Sequence, residues 1–173
     1  MTFFVFDVES IGLHGEGFAV AGGVYINGAA QYEFQFCCPE SEAAGEDEDR
    51  EWIKKNVPVM EITHRYPGGI REAFWTEWEK AKARYPGIIM TGECIWPVEA
   101  GFVATCVKQC LPERKWLGPY PFHDIASIML AVGMDPMGEY GREPSELPKH
   151  NPIADARQSA RLLTLALNKN KQQ

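Results

Sequence analysis

The chain of 173 residues lacks the long apolar stretch that a membrane-spanning helix requires. No run approaches the roughly 18 to 20 uninterrupted apolar residues needed to cross a bilayer. The first residues also lack a basic stretch followed by a signal-type apolar segment. Because 45% of the residues are apolar, we expect one globular domain over residues 1–173. We further expect a frayed polar tail over 169–173 and a location in the cytoplasm.

The cysteines lack the paired CxxC spacing of a tetrahedral zinc site. Their number, five, is odd, which argues against a disulfide scaffold. We therefore expect reduced and mostly buried thiols at Cys37, Cys38, Cys94, Cys106 and Cys110. The alternative is a structural metal at Cys106 and Cys110, which are four residues apart on a predicted helix.

Basic residues are few, with 17 Lys and Arg against 24 Asp and Glu, so the formal net charge is -7. Proteins that hold duplex DNA along an extended surface use Lys and Arg to neutralise phosphates, and the acidic excess argues against that mode of binding. It does not exclude a nuclease, because bound cations can supply the positive charge while the carboxylates that hold them raise the acidic count. The acidic stretch 45–51 is expected to be a solvated helix N-terminus rather than a metal site.

The hydrophobic pattern predicts three strands first and then strands that alternate with helices. The Asn27-Gly28 dipeptide suits a tight hairpin turn between the second and third strands. A proline- and glycine-rich loop is predicted over 133–148. This order of elements indicates the α/β class, with a mixed sheet flanked by helices. Strands are predicted over 2–8, 18–26, 31–37, 88–91 and 121–125, and helices from about Trp52 and over 70–84, 97–110, 124–132 and 152–168.

Two carboxylates share one face of the first predicted strand. Side chains alternate between the faces of a strand, so Asp7 and Glu9 point to the same side. Ionised neighbours of like charge are unfavourable unless a cation lies between them, and Mg²⁺ and Mn²⁺ prefer oxygen ligands. The alternative is a strand that ends here, with both acids turned to solvent before Ser10.

A second motif, His150-Asn151-Pro152-Ile153-Ala154-Asp155, lies at the start of the last predicted helix. Asn151 suits the N-cap and Pro152 the first helical position. His150 then lies in the preceding loop and Asp155 one turn into the helix, so imidazole and carboxylate can converge on one point. The alternative is a surface histidine beside a helix whose early acid interacts favourably with the helix dipole.

Taken together, these two motifs resemble the DEDDh branch of the 3′-to-5′ exonucleases, a superfamily that includes oligoribonuclease and the proofreading subunits of DNA polymerases. The resemblance covers nearly the whole chain, because the motifs lie close to its two ends. It implies the ribonuclease H-like fold, a mixed five-stranded sheet with helices on both faces.

The family carries an aspartate on the helix after the fourth strand, and residues 92–102 stand in that place. We assign this role to Glu99, because Pro97 suits the start of the helix and Phe102 follows where the family carries an apolar residue. Glu93 is the rival assignment. Glu99 departs from the family pattern by one additional methylene. Asp124 resembles the aspartate that precedes the next helix, and we expect it to cap that helix.

The resemblance implies a set of roles for these residues. Two Mg²⁺ or Mn²⁺ ions, roughly 3.5 to 4 Å apart, would be held by four carboxylates. His150 would act as general base, and 5′-nucleoside monophosphates would be released one at a time from the 3′ end of single-stranded DNA or RNA. For the oligomeric state, the sequence leaves both a monomer and a homodimer as alternatives. The metal ligands are Asp7, Glu9, Glu99 and Asp155, and the residues where the family wedges a terminal base are Ser10, Ile11, Gly12 and Leu13.

Two other interpretations stay open. One is a two-metal phosphodiesterase that acts on small nucleotides, since no basic extension is present to follow a long strand. The other is a catalytically silent nucleic-acid-binding module of the same fold. The departure at Glu99 favours this second interpretation, whereas His150, which serves chemistry rather than packing, argues against it. Trp75 and Trp78 are expected in the core rather than as base-stacking groups.

Overall fold

A computed structural model describes residues 1–170, and these residues form five strands and six helices. Two short 3₁₀ turns lie at Glu40–Glu42 and Pro144–Glu146. The strands are β1 (Thr2–Ser10), β2 (Gly17–Ile26), β3 (Ala29–Cys37), β4 (Ile89–Gly92) and β5 (His123–Asp124). The helices are α1 (Asp47–Asn56), α2 (Pro67–Arg84), α3 (Val98–Gln109), α4 (Leu111–Arg114), α5 (Ile125–Ala131) and α6 (Pro152–Asn170).

The strands form one mixed sheet in the order β3-β2-β1-β4-β5. β1 pairs antiparallel with β2, and β2 with β3, whereas β1, β4 and β5 run parallel. The backbone φ angles of Asn27 and Gly28 are 51° and 84°, the positive values that a two-residue hairpin turn needs. The predicted α/β class with a mixed five-stranded sheet is therefore confirmed.

The central strand β1 buries side chains on both faces of the sheet. Phe4 and Phe6 lie on the face covered by α2 and α3, and the rings of Phe6 and Phe74 are 4.8 Å apart. Phe3 and Val5 lie on the opposite face, in a second core with α5 and α6. Full burial of such a side chain stabilises the fold by about 1.5–3 kcal/mol, so β1 is firmly held at the centre of the molecule.

Several predicted boundaries shift in the structure. α1 begins at Asp47, inside the acidic stretch, rather than near Trp52, because acids in the first turn interact favourably with the helix dipole. α2 begins at Pro67, three residues before the predicted start at Ile70, since proline suits a first helical turn. α6 continues to Asn170, beyond the predicted end at residue 168. The rest of the predicted tail, 171–173, lies outside the described residues.

The thiols and the large aromatic side chains largely follow the expectations. Cys37, Cys38 and Cys106 are buried free thiols, whereas Cys110 is partly buried and Cys94 is exposed. The expected core positions of Trp75 and Trp78 on α2 are confirmed. Within residues 1–170, no helix combines the length and the apolar character needed to cross a membrane.

Candidate active site

Three of the candidate acids converge because of the alternation along β1. Asp7 and Glu9 continue the face of Phe3 and Val5, and this face packs against α6. The first turn of α6 carries Asp155. Carboxylates from the two ends of the chain thus meet at the C-terminal end of β1.

The start of α6 fixes the entry of the histidine loop as predicted. Pro152 is the first helical residue, and the Asn151 side chain accepts a hydrogen bond from the Ala154 amide at 3.4 Å. His150 precedes them with a φ of 59°, a left-handed conformation that is costly for a residue other than glycine. The edge of its ring meets Trp52 of α1, with ring centroids 5.0 Å apart. Tertiary contacts therefore help to hold the imidazole in place.

Glu9, His150 and Asp155 form a group of metal-type ligands. One ligand atom from each of the three residues lies within 4.8 Å of the other two. Two carboxylates and one imidazole suit a divalent cation that prefers oxygen ligands. Within residues 1–170, no group of three such ligands at this spacing includes Asp7 or Glu99.

Glu99 lies in the first turn of α3, where 6% of its surface is exposed. Pairing between β1 and β4 ends at Val5 and Thr91, and the amide of Val8, further along β1, donates to the Glu99 carboxylate at 3.3 Å. Burial raises the pKa of Glu99 to about 8, and the charges of Glu9 and Asp124 also raise it. The carboxylate is thus directed toward the other acids.

Glu93, the rival of Glu99, follows β4 and is partly buried. Its carboxylate accepts a hydrogen bond from the Ser159 hydroxyl of α6 at 3.1 Å. Burial raises the pKa of Glu93, the Ser159 hydrogen bond lowers it, and the charge of Asp155 raises it again. Both glutamates therefore face the same group of acids, and the choice of Glu99 stays a prediction.

The electrostatics of the cluster disfavour the charged forms of its acids. Burial raises the pKa of Asp7 well above its ordinary value, and the charges of Glu99, Asp155 and Glu9 raise it further. Burial also raises the pKa of Glu9 to about 7, with a contribution from Asp155. The charged forms of these acids are stabilised when a cation binds between them.

An arginine that the sequence pattern did not single out lies beside these acids. Arg142, in the loop between α5 and α6, forms an ion pair with Asp155. Burial raises the pKa of Asp155, whereas the hydrogen bond and charge of Arg142 lower it. Arg142 belongs to the proline- and glycine-rich loop, and no local spacing marks it.

At the other end of α5, Asp124 accepts from the amides of Ala126 and Ser127, which confirms its predicted capping role.

A cavity of about 270 Å³ lies between the β1–β2 loop, which follows Glu9, and the start of α3, which carries Glu99. Ser10 and Leu13 line this cavity together with Trp96, whose side chain is 78% exposed. Ile11 is buried in the core, and Gly12, with a φ of 66°, lies against Asp49 of α1. Of the four residues predicted to contact a substrate base, Ser10 and Leu13 therefore line this cavity, and their contact with a base stays a prediction.

Solved structures share this arrangement of elements, although the sequence matches no protein-family model and no curated protein sequence. Exonuclease I from Methylocaldum szegediense superposes with a TM-score of 0.64 and 18% identity, covering 99% of this chain and 41% of that chain. S. pombe Pop2p, in a form with bound Mg²⁺ and Mn²⁺, gives a TM-score of 0.66 and 13% identity, with coverage of 94% and 81%. An apo exonuclease I gives a TM-score of 0.64 and 13% identity, covering 99% of this chain and 43% of that chain.

This likeness shows that the chain has the ribonuclease H-like fold of these exonuclease structures. At sequence identities of 13–18%, the comparison shows the fold alone. The chain also spans less than half the length of the two exonuclease I chains, 41% and 43%.

Proposed function

We propose that this chain is a metal-dependent 3′-to-5′ exonuclease that releases 5′-nucleoside monophosphates from the 3′ end of single-stranded nucleic acid. The observation that carries the proposal is the convergence of Glu9, His150 and Asp155 within 4.8 Å at the end of β1. Asp7 and Glu99 add two further carboxylates whose charges reach this group. The fold shared with exonuclease I structures supports the same reaction.

The donor set fits hard divalent cations, Mg²⁺ or Mn²⁺, because carboxylate oxygens dominate it. Two such ions, when bound, would stabilise the negative charge that develops on the phosphate during hydrolysis. The raised pKa values of Glu9 and Asp7 support a cation at this place, since the charged acids are otherwise destabilised by burial and by one another. The ligands in this proposal are Asp7, Glu9, Glu99 and Asp155.

His150 is the general base of the proposed reaction. An imidazole exchanges protons readily at neutral pH, and the loop before α6 places this one beside Glu9 and Asp155. The ring would accept the proton of the attacking water while the carboxylates keep their ligand role. Trp52 limits the motion of the ring through its edge-to-face contact.

The cavity between the β1–β2 loop and the start of α3 would hold the terminal nucleoside of the substrate. Leu13 and Trp96 are exposed at its border, where a base can stack on an aromatic surface. Asp49 of α1 lies against Gly12 in the adjacent loop. Negative charge at this position does not favour a long phosphate backbone, so a phosphodiesterase acting on small nucleotides is the second candidate.

The test uses 5′-labelled single-stranded DNA and RNA with Mn²⁺, Mg²⁺ or a chelator. A metal-dependent ladder that shortens from the 3′ end is the expected result. Cleavage confined to dinucleotides would select the small-substrate enzyme, and binding without loss of length would select a catalytically silent module.

Substitution provides the matched controls for this assay. His150→Ala is expected to abolish the ladder, whereas His64→Ala, which removes a ring in contact with Phe36 on β3, should leave it intact. Equal activity of the two variants would remove His150 from the mechanism.

A further inference from the structure

The loop between α5 and α6 brings a positive charge to the edge of the acidic cluster. Nη1 of Arg142 donates hydrogen bonds to the Asp155 carboxylate and to the backbone carbonyl of Glu146, the latter at 2.8 Å. The charge of Arg142 also lowers the pKa of Glu93, which burial raises. The guanidinium therefore lies near two acids, Asp155 of α6 and Glu93, which follows β4.

The position of Arg142 is fixed by a turn whose Glu146 is buried. Glu146 is 3% exposed, and Arg161 of α6 donates to both of its carboxylate oxygens at 2.6 and 2.8 Å. The backbone amide of Glu143 donates to the same carboxylate at 2.9 Å. The turn whose Glu146 carbonyl accepts a hydrogen bond from Arg142 is thus attached to α6, the helix that carries Asp155. Arg142 therefore keeps a fixed position relative to Asp155.

The pair with Asp155 leaves most of the guanidinium free. A guanidinium carries five N–H donors in a planar fork that matches the oxygens of a phosphate. Arg142 uses Nη1 for its two contacts, and Nε and Nη2 donate to no group within residues 1–170. A divalent cation on Asp155 would compete with Arg142 for the same carboxylate, so that the guanidinium could turn its free donors toward an anionic ligand.

We propose that Arg142 is a phosphate-binding residue of this site. It is the counter-ion of Asp155 before cations bind, and it donates to a non-bridging oxygen of the substrate or product phosphate once cations occupy the carboxylates. This inference rests on the proposed function and adds a ligand contact to it. A cation at this edge also offsets the repulsion between the remaining acids and the phosphate.

The test compares adenosine 5′-monophosphate with adenosine, by calorimetric titration in the presence of Mn²⁺. Arg142→Gln is expected to weaken binding of the monophosphate by about 10- to 100-fold, the loss typical of a hydrogen bond to a charged group, while adenosine binds as before. The affinity of Arg142→Lys for the monophosphate should lie between those of the unaltered chain and Arg142→Gln, because lysine keeps the charge but not the planar fork of donors. Arg84→Gln is the matched control, since Arg84 lies at the end of α2 over the ring of Tyr85.

A second readout concerns the cation alone. Without nucleotide, Arg142→Gln should bind Mn²⁺ more tightly than the unaltered chain in an electron paramagnetic resonance titration, because a competitor for Asp155 is gone. Equal losses for adenosine and its monophosphate would reveal a merely structural role, and unchanged binding of both, or weaker Mn²⁺ binding, would also overturn the proposal. If the unaltered chain cleaves nucleic acid in these cases, the exonuclease function stands without Arg142. If it binds neither Mn²⁺ nor the monophosphate, both proposals fall.

Discussion

At the scale of the residue, two glutamates compete for one place in the site. Glu99→Gln is expected to lower the rate of hydrolysis by about 100-fold or more, because it removes a charged ligand while the amide oxygen still accepts from Val8. Glu93→Gln should cost less, since the Glu93 carboxylate is directed to Ser159. Single-turnover rates with Mn²⁺ check both variants. Glu79→Gln, on the exposed side of α2, is the charge-matched control. The reverse order of losses would transfer the ligand role to Glu93.

The exposed ring of Trp96 gives a second prediction at this scale. Trp96→Ala is expected to raise KM by about 10-fold with little change in kcat, the loss expected when one stacked base loses its aromatic partner. Steady-state kinetics on a short single-stranded substrate measure both constants. Trp116→Ala is the matched control, because Trp116 is 80% exposed but does not line the cavity. A fall in kcat with constant KM would show that Trp96 acts on the chemistry instead.

The residues that could be found from the sequence are those with a local pattern. Asp7 and Glu9 are two apart on a strand, and His150 and Asp155 flank a recognisable helix start. Arg142 has no such pattern, because its place beside Asp155 depends on the folding of a long loop onto α6. Trp52 and Trp96 were missed for the same reason: contact with a site across the fold leaves no periodic signal in the neighbouring residues.

At the scale of the element, α1 connects the two sides of the site. Its one buried residue is Ile53, whereas Asp49 contacts the β1–β2 loop and Trp52 contacts His150. Few buried apolar contacts hold this helix, so its position depends on these loops and on the hydrogen bonds that Arg50 donates to the carbonyls of Glu40 and Ala43. Alteration of α1 is therefore expected to affect catalysis without loss of the core.

The prediction for α1 concerns Trp52. Trp52→Ala is expected to lower kcat by about 10-fold and to leave KM nearly unchanged, because the imidazole of His150 loses a neighbour that holds its orientation. Trp52→Phe keeps an edge-to-face contact and should restore most of kcat. Steady-state kinetics of the three proteins provide the measurement. If Phe fails to rescue, or if KM alone changes, Trp52 has another role.

The elements themselves were predictable where the hydrophobic pattern is long. β1, β2 and α6 agree with their predictions within two or three residues, since each carries a sustained period of apolar side chains. The strand predicted over 121–125 is reduced to the two residues of β5, and α4, with four residues, is too short for any period to show. The pairing of β1 with β4 joins distant parts of the chain. The order of elements predicted a mixed sheet, and the resemblance to a family added the five strands with helices on both faces.

At the scale of the whole molecule, the site exists because the fold joins the two ends of the chain. Phe3 and Val5 pack in one core with Leu162 and Leu163, and this contact carries Asp155 to the end of β1. The unfolded chain has no such cluster of acids. Folding therefore concentrates negative charge, and the free energy of unfolding should depend on pH and on divalent cations.

The sign of this dependence follows from the raised pKa values of Glu9 and Glu99, about 7 and about 8 against ordinary values of 4.5. Between these limits the folded chain binds protons that the unfolded chain has released, so stability falls as pH rises from about 4.5 to 8. Thermal unfolding in chelator should show this fall, at about 2–4 °C for each kcal/mol lost. Mn²⁺ or Mg²⁺ should raise the midpoint more at pH 8 than at pH 5, because cations replace the lost protons.

The double variant Glu9→Gln with Glu99→Gln separates the contribution of these two glutamates from those of the other titrating groups. Both side chains stay neutral at every pH, so the midpoint of this variant should fall less between pH 4.5 and 8 and respond less to Mn²⁺. Sodium chloride at matched ionic strength controls for general screening of charge. If the variant and the unaltered chain lose stability in parallel, the pH dependence arises elsewhere, and burial does not raise the pKa values of the two glutamates as described. A steeper fall in the unaltered chain, reversed by Mn²⁺, would tie the instability to the same carboxylates that the proposed reaction uses.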